Sequence, residues 1–120
     1  MDKIQILVIG RNEEILEVVL RLINNNAEWN GIGASTDEQA IEKFHQYHFD
    51  IVLLTNGIDE NEEKKLRRVF THQDNTIIII QHYGGGSGLL SNEILMALEK
   101  RKQENRPTYS FNEIDPGELG

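Results

Sequence analysis

Three polar segments in this chain each follow a short apolar run: Gly10-Arg11-Asn12 after Ile4–Ile9, Thr55-Asn56-Gly57 after Ile51–Leu54, and Gln81-His82 after Ile77–Ile80. If the runs are strands of one parallel sheet, the polar segments meet at its carboxyl edge, where open α/β sheets bind ligands. Two kinds of chemistry can be written for that edge. Arg11, Asn56 and His82, together with Gly85, Gly86 and Ser87 of the run Gly84–Gly88, form an anion site. A glycine-rich loop feeding a helix start wraps a phosphate with backbone N–H groups. The run matches neither the P-loop nor the dinucleotide fingerprint, so a plain flexible connection competes with this reading. Alternatively, His82 serves as a general base for a Thr55 or Ser87 nucleophile. No carboxylate is placed by the sequence to orient the imidazole, and no nucleophile elbow is present, so the chain is expected not to be an enzyme. His45 and His48 have helical spacing for a shared metal but lack a third ligand, and neither metal nor cofactor is expected.

The elements that position these residues read as follows. Ile4–Ile9 is a β-branched first strand, and Asn12 caps a helix over about 13 to 24 with Glu13 and Glu14 in its first turn. That helix carries two adjacent apolar stripes, Ile15/Val18/Val19/Leu22 and Leu16/Leu20/Ile23, more than one sheet face needs to cover. Trp29–Ala34, interrupted by Gly31 and Gly33, suits a sheet edge. Ser35-Thr-Asp-Glu38 has capping-box spacing for helix 2, whose inner face is Ala40, Ile41, Phe44 and Tyr47 or His48. Ile51–Leu54 is apolar throughout, as befits a strand buried on both faces. Helix 3 begins with Glu60–Glu63 and ends in bases, with Leu66, Val69 and Phe70 facing inward. Thr76–Ile80 is the fourth strand, and helix 4 buries Leu90, Ile94, Ala97 and Leu98 before Pro107 stops it. Residues 108–113 alternate weakly and read as a fifth strand or a tail.

The 120 residues, 38% of them hydrophobic, make one domain with one core, so the division expected is 1–104 as the α/β domain and 105–120 as a C-terminal tail. A formal net charge of −8 argues against nucleic acid and anionic membranes as partners. Its basic clusters, Lys64-Lys65 with Arg67-Arg68 and Lys100-Arg101-Lys102, stand where helix dipoles favour bases. With no cysteine, thiol chemistry and disulfides are excluded. No apolar run reaches the ~18 residues of a membrane span, and the start lacks a signal-peptide pattern, so the cytoplasm is the expected location.

The order β-α-β-α-β-α-β-α with right-handed crossovers implies a doubly wound parallel sheet, a three-layer αβα fold with strand order 2-1-3-4(-5). Ile6–Ile9, Gly33–Ile41, Phe49–Leu54 and Ile77–Ile80 together resemble the receiver domain of bacterial two-component response regulators, a CheY-like (flavodoxin-like) fold. The resemblance covers about residues 3 to 116. It implies an acidic pair after strand 1 for Mg²⁺, a phosphoacceptor Asp after strand 3, a Ser or Thr after strand 4 and a Lys after strand 5. Those positions hold Gly10 and Arg11, then Thr55, Gln81 and Asn112. Neither Mg²⁺ binding nor acyl phosphate formation is expected from such a set, because Mg²⁺ needs carboxylate oxygens and Thr55 has none. The resemblance therefore implies a pseudo-receiver, a signalling or protein-interaction module not regulated by Asp phosphorylation, and the anion site is the alternative. The family's final helix, which packs beside helix 1, is missing from this order. On that ground the stripe Leu16, Leu20, Ile23 is expected to stay exposed and to form a dimer or partner face, with the edge of strand 4 as the competing route to a homodimer.

Overall fold

The computed structural model describes residues 2–84 and 87–104. Four strands and four helices alternate: β1 Ile4–Ile9, α1 Glu13–Asn24, β2 Trp29–Ala34, α2 Asp37–Gln46, β3 Ile51–Leu54, α3 Glu60–Gln73, β4 Ile78–Gln81 and α4 Ser87–Glu104. The strands form one parallel sheet in the order β2-β1-β3-β4. Residues 108–113, and with them Asn112, lie outside the described residues, as do Gly85 and Gly86.

Local chemistry sets the helix starts. Asn12 Oδ1 accepts from the backbone N–H groups of Glu14 and Ile15, as its spacing predicted. Asp59 and Glu62 close a reciprocal capping box on α3. In α2 the cap is Thr36 rather than Ser35: Thr36 Oγ1 accepts from the Gln39 N–H, and Gln39 reaches back to the Ser35 N–H.

Period-two alternation divides the core into two layers. On one face Leu7, Ile9, Val52 and Leu54 meet Ala40, Phe44, Leu66 and Phe70 of α2 and α3. On the other, Ile6, Val8, Ile51 and Leu53 meet Leu16, Val19 and Ile23 of α1 together with Leu90 and Ile94 of α4.

This layering corrects one expectation and answers one point that the sequence left open. First, Leu16 and Ile23 are buried, and Leu20 packs against the same core, so they form no exposed dimer face. The reason lies in β2. A Cβ at Gly33 would stand 2.7 Å from Leu20 Cδ1, and one at Gly31 would stand 3.0 Å from Ile23 Cγ2, so the two glycines form a bed for that stripe. The exposed stripe is the other one, with Ile15 at 47% and Val18 at 46%. Second, α4 shares the face of α1. A right-handed crossover leading past β4 would place its helix on the α2/α3 face, as α3 itself is placed. The α1 face thus has a second helix after all, and it is α4. No helix among the described residues is long and apolar enough to cross a membrane.

Candidate functional site

At the carboxyl edge of the sheet, the segments after β1 and β3 interlock. The Thr55 backbone N–H and its hydroxyl both donate to Ile9 O, each at 2.8 Å. Thr55 is 4% exposed. Asn56 lies across the top: its Oδ1 accepts from the Asn12 N–H at 2.6 Å and its Nδ2 donates to Thr55 Oγ1 at 3.3 Å. Gly10 is what allows this closure. A Cβ there would meet Thr55 Oγ1 at 2.4 Å and Asn56 Nδ2 at 2.7 Å, so the two side chains fill the space that a residue at position 10 would need.

Arg11 leaves that space altogether. Its guanidinium turns toward α2 and α3, pairs with Asp37 at 2.5 Å and lies 3.5 Å from Glu62, while Nη1 donates to Ser35 O at 3.3 Å. Gly57 makes room for this path. Its φ of +75° is a conformation that glycine adopts freely, and a Cβ there would stand 2.7 Å from Arg11 Cβ. Lys65 also reaches Asp37, at 3.6 Å, so Arg11 belongs to a partly exposed charge network.

Gln81, at the end of β4, directs its amide N–H groups at Leu54 O and Thr55 O, 3.3 and 3.4 Å away. Its Oε1 is buried without a partner among the described residues. His82 is 7% exposed, and its Nδ1 lies 2.5 Å from Glu93 Oε1 on α4. A carboxylate only accepts, so Nδ1 carries the proton. No carboxylate was expected beside His82 from the sequence, and Glu93 supplies one. The signal was legible in part: Glu93 is one turn past Leu89-Leu90 on the helix that His82 precedes. What was missing was the face on which that helix lies.

The structure therefore brings Gly10, Thr55, Asn56 and Gln81 together and takes Arg11 away from them. Of the residues considered for an anion site, Arg11 is paired with Asp37, Asn56 is engaged at both ends of its amide, and His82 is held by Glu93; Ser87 opens α4. The Thr55 hydroxyl donates to a backbone carbonyl, so His82 does not activate it. Among the described residues no group of three or more His, Cys, Asp or Glu side chains is arranged to hold a metal ion.

Beside the closed pocket, on the α1 face, lies a cleft of about 440 Å³. Ile15, Val18, Leu22 and Leu90 form its apolar walls, and Thr55, His82 and Tyr83 give it a polar end. Its volume is in the range of sites that enclose small molecules or single large side chains.

No protein-family model matches this chain, and no curated protein matches it. Among solved structures, the chain is similar to the crystal structure of a candidate pilus assembly protein (cpaE) from Burkholderia thailandensis. The TM-score is 0.57 at 16% sequence identity, over 78% of this chain and 79% of that one. The likeness is one of fold, and it agrees with the receiver-like, flavodoxin-like architecture that the strand order gives.

Proposed function

We propose that this chain is a receiver-like module that acts by binding another protein and is not switched by phosphorylation of an aspartate. The observation that carries this reading is the packing at Gly10. Where the receiver resemblance calls for a carboxylate that binds Mg²⁺, the Thr55 and Asn56 side chains occupy the volume, within 2.4 and 2.7 Å of any Cβ at that position. A phosphorylation site needs a metal to neutralise the transferred group, and a hard cation needs several oxygen ligands free to face it. Here the Thr55 hydroxyl and the Asn56 amide are turned to Ile9 O and the Asn12 N–H instead.

Arg11 bears on the alternative, an anion site. With its guanidinium between Asp37 and Glu62, its charge is already balanced, and an incoming phosphate would face two carboxylates. The solved neighbour is a candidate pilus assembly protein, which is in keeping with a binding role for the shared fold.

The test is direct. ¹H–¹⁵N spectra of the full chain are recorded with Mg²⁺ alone, with Mg²⁺ and beryllofluoride, and with Mg²⁺ and acetyl phosphate. The expected result is no shift at Gly10, Thr55, Asn56 or Gln81 and no gain in mass. A saturable, Mg²⁺-dependent shift at those residues would overturn the proposal.

A further inference from the structure

Seven large hydrophobic side chains are exposed among the described residues, and three of them, Ile15, Val18 and Tyr83, border the cleft beside α1. A fourth, Leu95, is 53% exposed. Its side follows from α4 itself. Lys100, Arg101 and Glu104 line a recess along the free edge of β4, so the helix flank opposite them, which carries Ser91 and Leu95, is turned toward α1. Apolar groups gathered at one place in this way mark a contact surface.

The cleft has one unused polar group at its inner end. Nδ1–H of His82 is donated to Glu93, so in the neutral ring Nε2 carries the lone pair. Nε2 makes no hydrogen bond among the described residues, and His82 lines the cleft. The Thr55 hydroxyl and both ends of the Asn56 amide have partners, and Tyr83, 87% exposed, stands at the solvent rim and not at the inner end. The site thus asks for a flat apolar body with a single N–H or O–H donor. Charge narrows the occupant further. Glu14 is exposed on the flank of α1 next to Val18, Glu13 and Glu17 line the recess on the other side of that helix, toward β2, and the chain as a whole carries −8.

We infer that the α1–α4 cleft is where the partner docks, and that it receives a Trp or Tyr side chain from a basic polypeptide segment, with the indole N–H or phenol O–H donating to His82 Nε2. This deepens the proposed function and rests on it. Aromatic side chains with a polar tip supply large buried area and one directed hydrogen bond, which is why they anchor protein contacts.

The test titrates the ¹⁵N-labelled full chain with indole, with 1-methylindole, and with the capped tripeptides Lys-Trp-Lys and Glu-Trp-Glu. The expected result is saturable shifts at Ile15, Val18 and His82, with indole bound roughly three- to tenfold tighter than its methylated form, the range of one net hydrogen bond. The basic tripeptide should bind tighter than the acidic one, and added salt should narrow the gap. Val18→Glu, a substitution at an exposed position, should remove the shifts. His82→Phe should keep apolar binding and remove the preference for indole. Equal binding of indole and 1-methylindole, or no preference for the basic tripeptide, would overturn the assignment. So would concentration-dependent shifts at the same residues without any probe, which would make the cleft a contact between copies of this chain. Beryllofluoride separates the two readings: with its spectrum unchanged and no indole binding, the docking site fails alone.

Discussion

Gly10→Ala is the substitution on which the closed pocket can be judged. Without steric conflict it would be mildly stabilising, because Gly10 is not in the positive-φ region and an alanine there restricts the unfolded chain, worth roughly 0.4–1 kcal/mol. The structure opposes this. A Cβ at position 10 falls 2.4 Å from Thr55 Oγ1, well inside the 3.0 Å below which real Cβ contacts essentially do not occur. Relief requires Thr55 to rotate and give up its 2.8 Å bond to Ile9 O, or the backbone after β1 to move. Overpacking of this kind costs about 1–3 kcal/mol, of which a lost hydroxyl bond is about 0.5–1.5. The steric cost exceeds the entropic gain, and a net loss of roughly 1–2 kcal/mol is expected. Trp29, the sole tryptophan and buried against α1, reports unfolding in urea by its fluorescence. Thr55→Ala supplies the control. Ile9 O keeps the Thr55 backbone N–H, so that variant alone should lose about 1 kcal/mol, and the double variant should be more stable than the sum of the two losses by about 1 kcal/mol. A Gly10→Ala protein as stable as its parent, or strictly additive losses, would mean that the space is open and that the case against a metal pocket is unsound.

Three further outcomes follow from particular contacts. Glu93→Ala leaves the buried His82 Nδ1–H without its acceptor, and a loss of about 1–3 kcal/mol is expected in the same urea assay; an unchanged midpoint would show that water replaces the carboxylate at no cost. Gly33→Val should destabilise by roughly 1–3 kcal/mol by displacing Leu20, and unchanged stability would count against the glycine bed beneath α1. Asp74 is held below the usual carboxylate range, first by the Thr76 hydroxyl and then by the Thr76 N–H. A depressed folded pKa stabilises above the unfolded value of 3.8 and loses that contribution as pH falls through the folded value. Thr76→Val should therefore raise the Asp74 titration midpoint in carbon-detected NMR and reduce the extra stability near neutral pH; an unmoved midpoint would remove the hydroxyl as the cause.

Much of the fold was readable because period and punctuation agree. Ile51–Leu54 is apolar at every position and lies between two neighbours in the sheet, while glycine-interrupted β2 lies at its edge. The limits of α1, Glu13 to Asn24, came out as its cap and acids indicated. Two things were not readable, and they have one cause. A wheel shows that α1 has two apolar stripes but not which of them the sheet takes. That depends on Gly31 and Gly33, eleven and thirteen residues from Leu20, which read as weak strand formers until their missing side chains are seen to admit Leu20 and Ile23. Likewise, the apolar face of α4 says that it packs on the sheet without saying on which side. The side decides whether Glu93 can reach His82, and hence whether the imidazole is oriented.

The residues at the carboxyl edge depend on one another. A glycine at position 10 permits the inward turn of Thr55 and Asn56; Asn56 then accepts from the Asn12 N–H, at the cap of α1. Gly57 in turn allows the Arg11 stem to pass, so that its guanidinium reaches Asp37 on α2 and approaches Glu62 on α3. A carboxylate introduced at position 55 alone would be a buried charge with no cation beside it, and one introduced at position 10 alone would clash. Neither single step builds a phosphorylation site, and each costs stability. The same contacts tie the loops after β1 and β3 to α1, α2 and α3, which leaves little in this region for a bound ion to rearrange. On the proposed reading a partner surface lies elsewhere, and the α1–α4 cleft combines exposed Ile15 and Val18 with a His82 Nε2 that has no partner among the described residues.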